Sequence, residues 1–293
     1  MTTILLTGKN GQVGWELQRT LAPLGKVVAL GSDELDLADA GAIRRAVQSV
    51  RPNIIVNPGA YTAVDKAESE PDLAHAINGV APGVLAEEAR TLGAWLVHYS
   101  TDYVFDGAKQ GAYLETDAPN PQSAYGRSKL AGEDAVRAAG VKHLIFRTSW
   151  VYGSRGRNFL LTMLKLARER KVLSVVDDQV GAPTWCRSLA EITAQVLAQL
   201  HVPGAKEAEG MTGTYHLTSS GSVSWCGFTA EILKRGGIQP LPELQAIPSR
   251  DYPTPAARPK NSVLSNEKLV RTFGLAAGDW RDNLRLCMED LQR

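Results

Sequence analysis

ILLTGKNGQVGWELQRTL, residues 4–21, carries the signal that decides the fold. A short apolar strand passes through glycines at positions 8, 11 and 14 and opens into a helix. Glycines at such a junction allow a tight turn, close approach of the backbone to a pyrophosphate, and close packing of the helix on the strand. The junction therefore predicts a dinucleotide site. The spacing is G-x-x-G-x-x-G and not the usual G-x-G-x-x-G, so a simple strand-to-helix turn is the alternative.

The same alternation of apolar strands and amphipathic helices continues to about residue 150. The strand-like runs are ILLT (4–7), VVAL (27–30), IIVN (54–57), WLVHYS (95–100) and HLIFRTS (143–149). Nearly continuous apolar strands with helical stretches between them predict an α/β fold, a doubly wound parallel sheet of the Rossmann type. We expect residues 1–150 to form a dinucleotide-binding domain. Residues 151–293 are expected to form mainly a smaller substrate-binding lobe, with part of the chain returning to the first domain.

Length, charge and cysteine spacing narrow the classes of function. The 293 residues are 44% hydrophobic, enough for a sizeable core, and the net charge of +1 gives no field that would draw the chain onto nucleic acid or an anionic membrane. No apolar run is long enough to span a bilayer, and no secretory signal is recognisable. With three widely spaced cysteines, we expect a cytoplasmic protein that acts on a small molecule, with neither nucleic acid nor membrane as partner.

The residues that follow the second and third strands suggest how a dinucleotide would bind. Gly31-Ser32 stands where an NAD-specific site places a carboxylate, so nothing there repels the 2′-phosphate of NADPH, and no arginine there attracts it. Asp36 can pair with the adenine amino group, or else Asp36 or Asp39 only caps the helix that begins near Ala40. Small residues around Ala60 allow a cofactor to pass close to the backbone, and ordinary turn chemistry is the competing explanation.

Tyr125 and Lys129 are the strongest catalytic candidates. Four residues apart on a helix, they share a face, so the ammonium is expected to lower the pKa of the phenol. Thr101 closes the fourth strand and faces the same crevice, where a hydroxyl can hold a carbonyl oxygen while Tyr125 donates a proton. Each residue alone has an ordinary structural explanation. Together with the glycine loop they predict a carbonyl reductase.

Seven segments spread along the chain resemble one family. They are GKNGQVGWELQ (8–18), YTAVDKAESEP (61–71), HYSTDYVFDG (98–107), YGRSKLAGE (125–133), FRTSWVYG (146–153), DDQVGAPT (177–184) and YPTPAARPKNS (252–262). They resemble the dTDP-4-dehydrorhamnose reductases of the extended short-chain dehydrogenase/reductase superfamily. The resemblance implies that NADPH, and in many members also NADH, reduces the C4 ketone of dTDP-4-dehydro-L-rhamnose to dTDP-L-rhamnose. It also implies a homodimer in some members.

The resemblance assigns roles to individual residues. The catalytic threonine, tyrosine and lysine of the family fall on Thr101, Tyr125 and Lys129. The remaining cofactor contacts fall on Gly8, Gly11, Gln12, Val13, Gly14, Asp36, Leu37, Ala60, Tyr61, Thr62 and Tyr99. The sugar contacts fall on Thr101, Asp102 and Trp150, with Val64 and Tyr103 close by. These residues are therefore expected to meet in one cleft.

The chain departs from the family pattern at one site, where three glutamates of the family bind a metal ion between subunits. Glu16 and Glu289 match two of them, but Arg187 stands at the third position. A guanidinium cannot ligate a hard cation such as Mg²⁺, which argues against that site and against the dimer it would bridge.

Several other residues and functions stay open at this stage. Arg155, Arg157 and Arg258 are candidate partners for the substrate pyrophosphate or else solvated surface charges, and His98 is expected to pack within the core. The run Thr101-Asp102-Tyr103 lacks the Asp-Glu pair of the related dehydratases, which disfavours a dehydratase. The alternatives are a reductase or epimerase for another nucleotide sugar, or a non-catalytic nucleotide-binding regulatory subunit.

Overall fold

The computed structural model describes residues 1–200 and 208–291, which fold as strands alternating with helices. The strands are β1 (Thr3–Leu6), β2 (Lys26–Ala29), β3 (Ile54–Asn57), β4 (Trp95–Thr101), β5 (His143–Thr148), β6 (Val151–Tyr152), β7 (Val172–Val176), β8 (Val180–Gly181), β9 (Thr184–Trp185), β10 (Gly213–His216), β11 (Val223–Ser224), β12 (Glu243–Ile247) and β13 (Asn261–Ser262). The α-helices are α1 (Gln12–Thr20), α2 (Ala40–Val50), α3 (Pro71–His75), α4 (Ala81–Leu92), α5 (Ala124–Ala138), α6 (Phe159–Glu169), α7 (Cys186–Leu200), α8 (Trp225–Arg235), α9 (Glu267–Phe273) and α10 (Trp280–Leu291). Within these ranges no helix is long and apolar enough to cross a membrane.

Six parallel strands form the main sheet in the order β10-β5-β4-β3-β1-β2. The chain moves in one direction from β1 to β2 and in the other from β3 through β4 and β5, so the order reverses between β1 and β3. Open parallel sheets bind ligands at the carboxyl ends of the strands beside such a reversal. The prediction of a doubly wound parallel α/β fold is confirmed.

Both faces of the sheet are covered, which explains why the strands are apolar at nearly every position. On one face, α1 and α7 bury residues such as Leu17 and Leu189 against the strands. On the other face, α2, α4 and α5 contribute Ile43, Leu85 and Val136. Strands enclosed in this way lose the alternation of a half-exposed sheet, because neither face meets water.

A second apolar cluster lies in the carboxyl-terminal part of the chain. Leu160 of α6, Phe228 of α8 and Trp280 of α10 are all nearly inaccessible to solvent and pack together there. Strand β10 pairs instead with β5 in the main sheet, and α7 packs against α1. Both of these elements come from the range that was expected to be mainly the second lobe.

Helix α5 is placed by a cap and by a glycine. The hydroxyl of Ser123 accepts a hydrogen bond from the backbone nitrogen of Gly126 at 3.1 Å, which defines the start of the helix. A Cβ atom at Gly126 would lie 2.3 Å from the carbonyl oxygen of Tyr103. The missing side chain therefore lets the first turn of α5 approach the segment that follows β4, and brings Tyr125 close to Thr101.

Candidate active site

A cavity of about 750 Å³ opens at the carboxyl ends of β1, β3, β4 and β5. Nearly all residues expected at a site line it. These are Gly8, Gly11, Gln12, Val13, Gly14, Asp36, Leu37, Ala60, Thr62, Val64, Tyr99, Thr101, Asp102, Tyr103, Tyr125, Lys129 and Trp150. Tyr61 is the exception, since its hydroxyl points to Glu70 and donates a hydrogen bond to that carboxylate at 2.5 Å.

The glycine loop forms one end of this cavity. Gly8 adopts a left-handed φ of 58°, and a Cβ atom there would lie 2.8 Å from the Cα of Gly59. A Cβ atom at Gly14 would lie 2.1 Å from the carbonyl oxygen of Gly8, so only glycine lets α1 begin so close to the loop. Gly11 is the N-cap of α1, and no side chain of the described residues caps it. The first amide groups of α1 are therefore available to an anion such as a pyrophosphate.

Lys9, a cation that was not predicted from the sequence, lies close to the end of β2. A Cβ atom at Gly31 would lie 2.7 Å from Asn10 Nδ2 and 3.4 Å from Lys9 Cε, so the glycine loop reaches over to this position. Lys9 forms an ion pair with Glu34, whose carboxylate also accepts a hydrogen bond from the Gly31 nitrogen at 2.9 Å. The only signal in the sequence was a lysine directly after the first glycine of the loop.

Asp36 lies in the wall of the cavity, and a different carboxylate caps α2. Asp39 Oδ1 accepts a hydrogen bond from the Ala42 nitrogen at 3.0 Å, as expected of an N-cap. Asp36 instead closes a local turn by accepting from the Ala38 nitrogen at 2.8 Å. Capping of α2 therefore does not explain the presence of Asp36 at this point.

Thr101 and Tyr125 meet at the other end of the cavity. The hydroxyl of Thr101 donates to Asp102 Oδ1 at 3.0 Å and accepts from the Tyr103 nitrogen at 3.2 Å, which fixes its orientation. The ring of Tyr103 packs edge-on against that of Tyr125, with ring centroids 5.5 Å apart. Burial raises the pKa of Asp102 to about 6. The site therefore holds a hydroxyl, a phenol and a desolvated carboxyl group side by side.

The net pKa of Tyr125 is raised in this structure and not lowered, contrary to the expectation from its spacing to Lys129. Burial raises the pKa of Tyr125 above its ordinary value, although a hydrogen bond with Thr101 partly opposes the rise. The Lys129 amine donates to the Tyr99 carbonyl oxygen at 2.6 Å, and burial lowers the pKa of Lys129 to about 8. The phenol therefore keeps its proton across the neutral range, which is the protonation state that a proton donor needs.

Trp150 lies in the cavity in a conformation that its surroundings enforce. Its φ is 48°, in the left-handed region that bulky residues seldom adopt. Its indole stacks on that of Trp225, with ring centroids 3.4 Å apart and the planes inclined by 7°. A Cβ atom at Gly181 would lie 2.6 Å from Trp150 Cε2, so this glycine makes room for the ring. Trp225, which was not predicted from the sequence, covers one face of Trp150.

Comparison with known proteins identifies the family. The family model described as the RmlD substrate binding domain matches residues 1–293. The chain belongs to this family. A protein of Burkholderia thailandensis named dTDP-4-dehydrorhamnose reductase is 51% identical over 294 residues, covering 98% of both chains. A protein of Escherichia coli K12 with the same name is 46% identical over 296 residues, covering 98% of this chain and 97% of the relative.

A solved structure of the same family supports the fold and the cofactor class. The dTDP-4-dehydrorhamnose reductase of Bacillus anthracis, determined in complex with NADP, superposes with a TM-score of 0.91 at 35% identity and covers 99% of each chain. The family resemblance predicted from seven segments of sequence is confirmed, and so is the expectation that the chain is an oxidoreductase.

The expected metal site of the RmlD family does not fit the residues of this chain. Glu16 is 5% exposed and faces Arg187, with 3.3 Å between Glu16 Oε2 and Arg187 Nε. Arg187 also pairs with Asp290 at 2.6 Å, while Glu289 pairs with Arg285 at 2.8 Å. Among residues 1–200 and 208–291, no group of three or more histidine, cysteine, aspartate or glutamate side chains is placed to hold a metal. The guanidinium of Arg187 already satisfies the buried carboxylate.

The three arginines that were candidates for binding the substrate pyrophosphate lie in different places and make different contacts. Arg157 lines the cavity. The Arg155 guanidinium lies 3.7 Å from the centre of the Trp15 ring. Arg258 donates to the Tyr103 hydroxyl at 3.0 Å and to Asp65 Oδ2 at 2.7 Å, so it connects the carboxyl-terminal segment to the strand ends of the sheet. Of these arginines, Arg157 alone belongs to the cavity wall.

Proposed function

We propose that this protein uses NADPH to reduce the C4 ketone of dTDP-4-dehydro-L-rhamnose to dTDP-L-rhamnose, the last step of dTDP-L-rhamnose biosynthesis. The observation that carries the proposal is the single cavity in which the glycine loop, Thr101, Tyr125 and Lys129 meet. Its location at the strand-order reversal of a parallel sheet is where this fold class binds dinucleotides. The 51% identity with the Burkholderia reductase supports the choice of substrate.

The chain's own residues supply the acid and the binding groups. NADPH, when bound, supplies the hydride from its nicotinamide. Tyr125 gives its proton to the oxygen of the ketone as that oxygen gains negative charge, and Thr101 holds the same oxygen by a hydrogen bond. Lys129, one helical turn from Tyr125, stabilises the phenolate that is left behind. The raised pKa of Tyr125 keeps the donor protonated before the reaction.

The adenosine end of the cavity favours NADPH over NADH. Gly31 itself bears no carboxylate, and Lys9 supplies a cation within reach of that position, beside the carboxylate of Asp33, whose Oδ1 would lie 2.5 Å from a Cβ atom at Gly31. Glu34, which pairs with Lys9 here, must give up that contact when the phosphate binds. The Bacillus anthracis relative solved with NADP supports the same choice. NADH, which lacks the phosphate, is expected to be the poorer donor.

The sugar nucleotide is proposed to bind between the sheet and the carboxyl-terminal cluster. Val64, Asp102, Tyr103 and Trp150 line the same cavity as Tyr125 and provide apolar and polar contacts for a sugar. Residues 151–293 would then form mainly the substrate-binding lobe, with β10 and α7 belonging to the sheet. A homodimer of this chain would form without a bridging metal, because Arg187 occupies the carboxylates of that surface.

Turnover with and without the Tyr125 phenol tests the proposal. The wild-type protein should oxidise NADPH, and NADH more slowly, when dTDP-4-dehydro-L-rhamnose is generated in the same vessel, with the product confirmed by mass. Tyr125→Phe should lower kcat by at least about 100-fold, the usual contribution of a general acid, while NADPH still binds. Tyr215→Phe is the matched control, because it removes a buried hydroxyl that donates to the Met211 oxygen at 2.8 Å, away from the cavity.

Two outcomes would contradict the proposal. Full activity of the Tyr125→Phe variant would remove Tyr125 as the acid. Tight nucleotide binding by the wild-type protein without any turnover would favour a regulatory subunit or an enzyme for another nucleotide sugar.

A further inference from the structure

The loop that connects β6 to α6, residues 153–158, is held against the first turn of α1. Asn158 donates from Nδ2 to Gln12 Oε1 at 2.9 Å. The Oδ1 atom of Asn158 accepts from the Leu161 nitrogen at 3.0 Å and caps α6, which turns the amide nitrogen toward Gln12. A Cβ atom at Gly156 would lie 3.5 Å from Gln12 Cγ. The loop therefore crosses the amino end of α1, at one end of the cavity.

The two arginines of this loop make different contacts. The guanidinium of Arg155 lies 3.7 Å from the centre of the Trp15 ring, and Arg155 does not line the cavity. Arg157 lines the cavity together with Gly11 and Gln12. In the part of the chain that the structure describes, no hydrogen bond or ion pair engages the Arg157 guanidinium. A guanidinium in this position is available to an anionic ligand of the cavity.

The amino end of α1 supplies only part of the positive charge that a pyrophosphate attracts. A helix end carries roughly half a unit charge, and no acidic residue occupies the first turn of α1. Both phosphates of a dinucleotide are ionised at neutral pH, so the fork of donors on a guanidinium complements them better than the amide groups alone. Of the described residues that line the cavity, Lys129 is the other one with a basic side chain, and its amine donates to the Tyr99 carbonyl oxygen at 2.6 Å.

We propose that Arg157 binds the pyrophosphate of the dinucleotide, and not the pyrophosphate of the sugar nucleotide. The loop that carries Arg157 is tied to Gln12 of α1, the helix that follows β1. The residues Val64 and Tyr103, which are proposed to contact the sugar, follow β3 and β4 instead. The inference rests on the proposed function, because it concerns the cofactor of that reaction. It gives a role in cofactor binding to an arginine that the sequence offered for the substrate.

Equilibrium binding to the full chain tests this assignment without any turnover. Isothermal titration calorimetry gives the Kd of NADPH, NADH and dTDP for the wild type and for the Arg157→Gln and Arg157→Lys variants. Because both dinucleotides contain the pyrophosphate, Arg157→Gln should weaken NADPH and NADH by the same factor, about 10-fold, the usual loss for a hydrogen bond to a charged group. Arg157→Lys keeps the charge without the fork of donors and should weaken both about 3-fold. All three proteins should bind dTDP equally.

Arg155→Gln is the matched control, because it removes the same charge from the same loop at a residue that does not line the cavity. This variant should bind NADPH, NADH and dTDP with the affinities of the wild type. Arg155 and Arg157 are both exposed, so their substitution leaves the apolar core intact. An unchanged Tm should therefore accompany the change in Kd of the Arg157 variants.

Three results would overturn the proposal. Weaker binding of NADPH by Arg157→Gln without weaker binding of NADH would place the guanidinium at the 2′-phosphate. Weaker binding of dTDP would place it on the sugar nucleotide. Equal affinities of Arg157→Gln and the wild type for all three ligands would show that the guanidinium contacts neither pyrophosphate. A wild type that binds both dinucleotides but does not reduce dTDP-4-dehydro-L-rhamnose would contradict the proposed function, while the comparison of Kd values would still decide the place of Arg157.

Discussion

Replacing Glu133 by glutamine should destabilise the protein strongly, because this carboxylate anchors the catalytic helix. Glu133 is 0% exposed and Arg147 is 2% exposed. Arg147 donates to both carboxylate oxygens at 2.8 and 2.6 Å, and its guanidinium lies 5.0 Å from the centre of the Phe105 ring. Glutamine keeps the shape of the side chain but removes its charge. The Arg147 charge is then buried beneath α5 without its partner.

The expected size of the effect follows from this burial. Removing one member of a buried ion pair costs about 3–5 kcal/mol, because the remaining charge stays desolvated. For a chain of this length that loss corresponds to a fall in Tm on the order of 10 °C. The double variant Glu133→Leu with Arg147→Met removes both charges and should recover much of the loss, since an apolar pair carries no desolvation penalty.

Glu87→Gln provides the matched control in the same denaturation assay. Glu87 also pairs with an arginine, at 2.7 Å from Arg44 Nη2, but its side chain is 55% exposed. Exposed ion pairs contribute less than about 1 kcal/mol, so this variant should unfold close to the wild type. A Glu133→Gln variant that loses no more stability than Glu87→Gln would refute the reasoning.

Two further variants test the cavity. Asp102→Asn should flatten the pH dependence of stability. The pKa of Asp102 is about 6 in the folded chain and 3.8 ordinarily. The free energy of unfolding of the wild type should therefore fall by up to about 3 kcal/mol between pH 4 and 7, because the folded chain holds the proton more tightly than the unfolded chain. Equal slopes of unfolding free energy against pH for the wild type and the Asn variant would contradict this. Trp225→Leu should raise KM for the sugar nucleotide about 2- to 10-fold without changing KM for NADPH, because it removes the ring that stacks on Trp150. The same variant should abolish the exciton couplet of the stacked indoles in circular dichroism. The control variant Trp15→Leu should keep that couplet. An unchanged couplet would rule out the Trp150 stack.

Local patterns in the sequence were sufficient to predict the first half of the fold and most of the cavity. The strand runs and the glycine loop are short-range signals, and residues that follow parallel strands must meet at one edge of the sheet. Thr101 and Tyr125 were predicted to meet for this reason. Nothing local indicates that Gly213–His216 returns to pair with β5, because four residues carry no register information of their own.

The remaining errors and omissions concern contacts between distant segments. The pKa of Tyr125 depends on burial beneath Tyr103 and Thr101, which helix spacing cannot report. Trp225 and Lys9 were missed because their partners, Trp150 and the Gly31 position, come from other elements. His98 has the burial pattern of an ordinary strand residue, and the approach of its Nε2 to within 3.5 Å of Lys129 Nζ depends on how α5 packs across β4.

Transfer of deuterium from the cofactor tests the central claim most directly. The wild-type protein is incubated with dTDP-4-dehydro-L-rhamnose and NADPH carrying deuterium at the transferable position of the nicotinamide, and the product is examined by mass spectrometry and NMR. We predict dTDP-L-rhamnose with one deuterium, located at C4 of the sugar. A product without deuterium, or no product while the labelled cofactor binds tightly, would contradict the claim that this cavity reduces the C4 ketone.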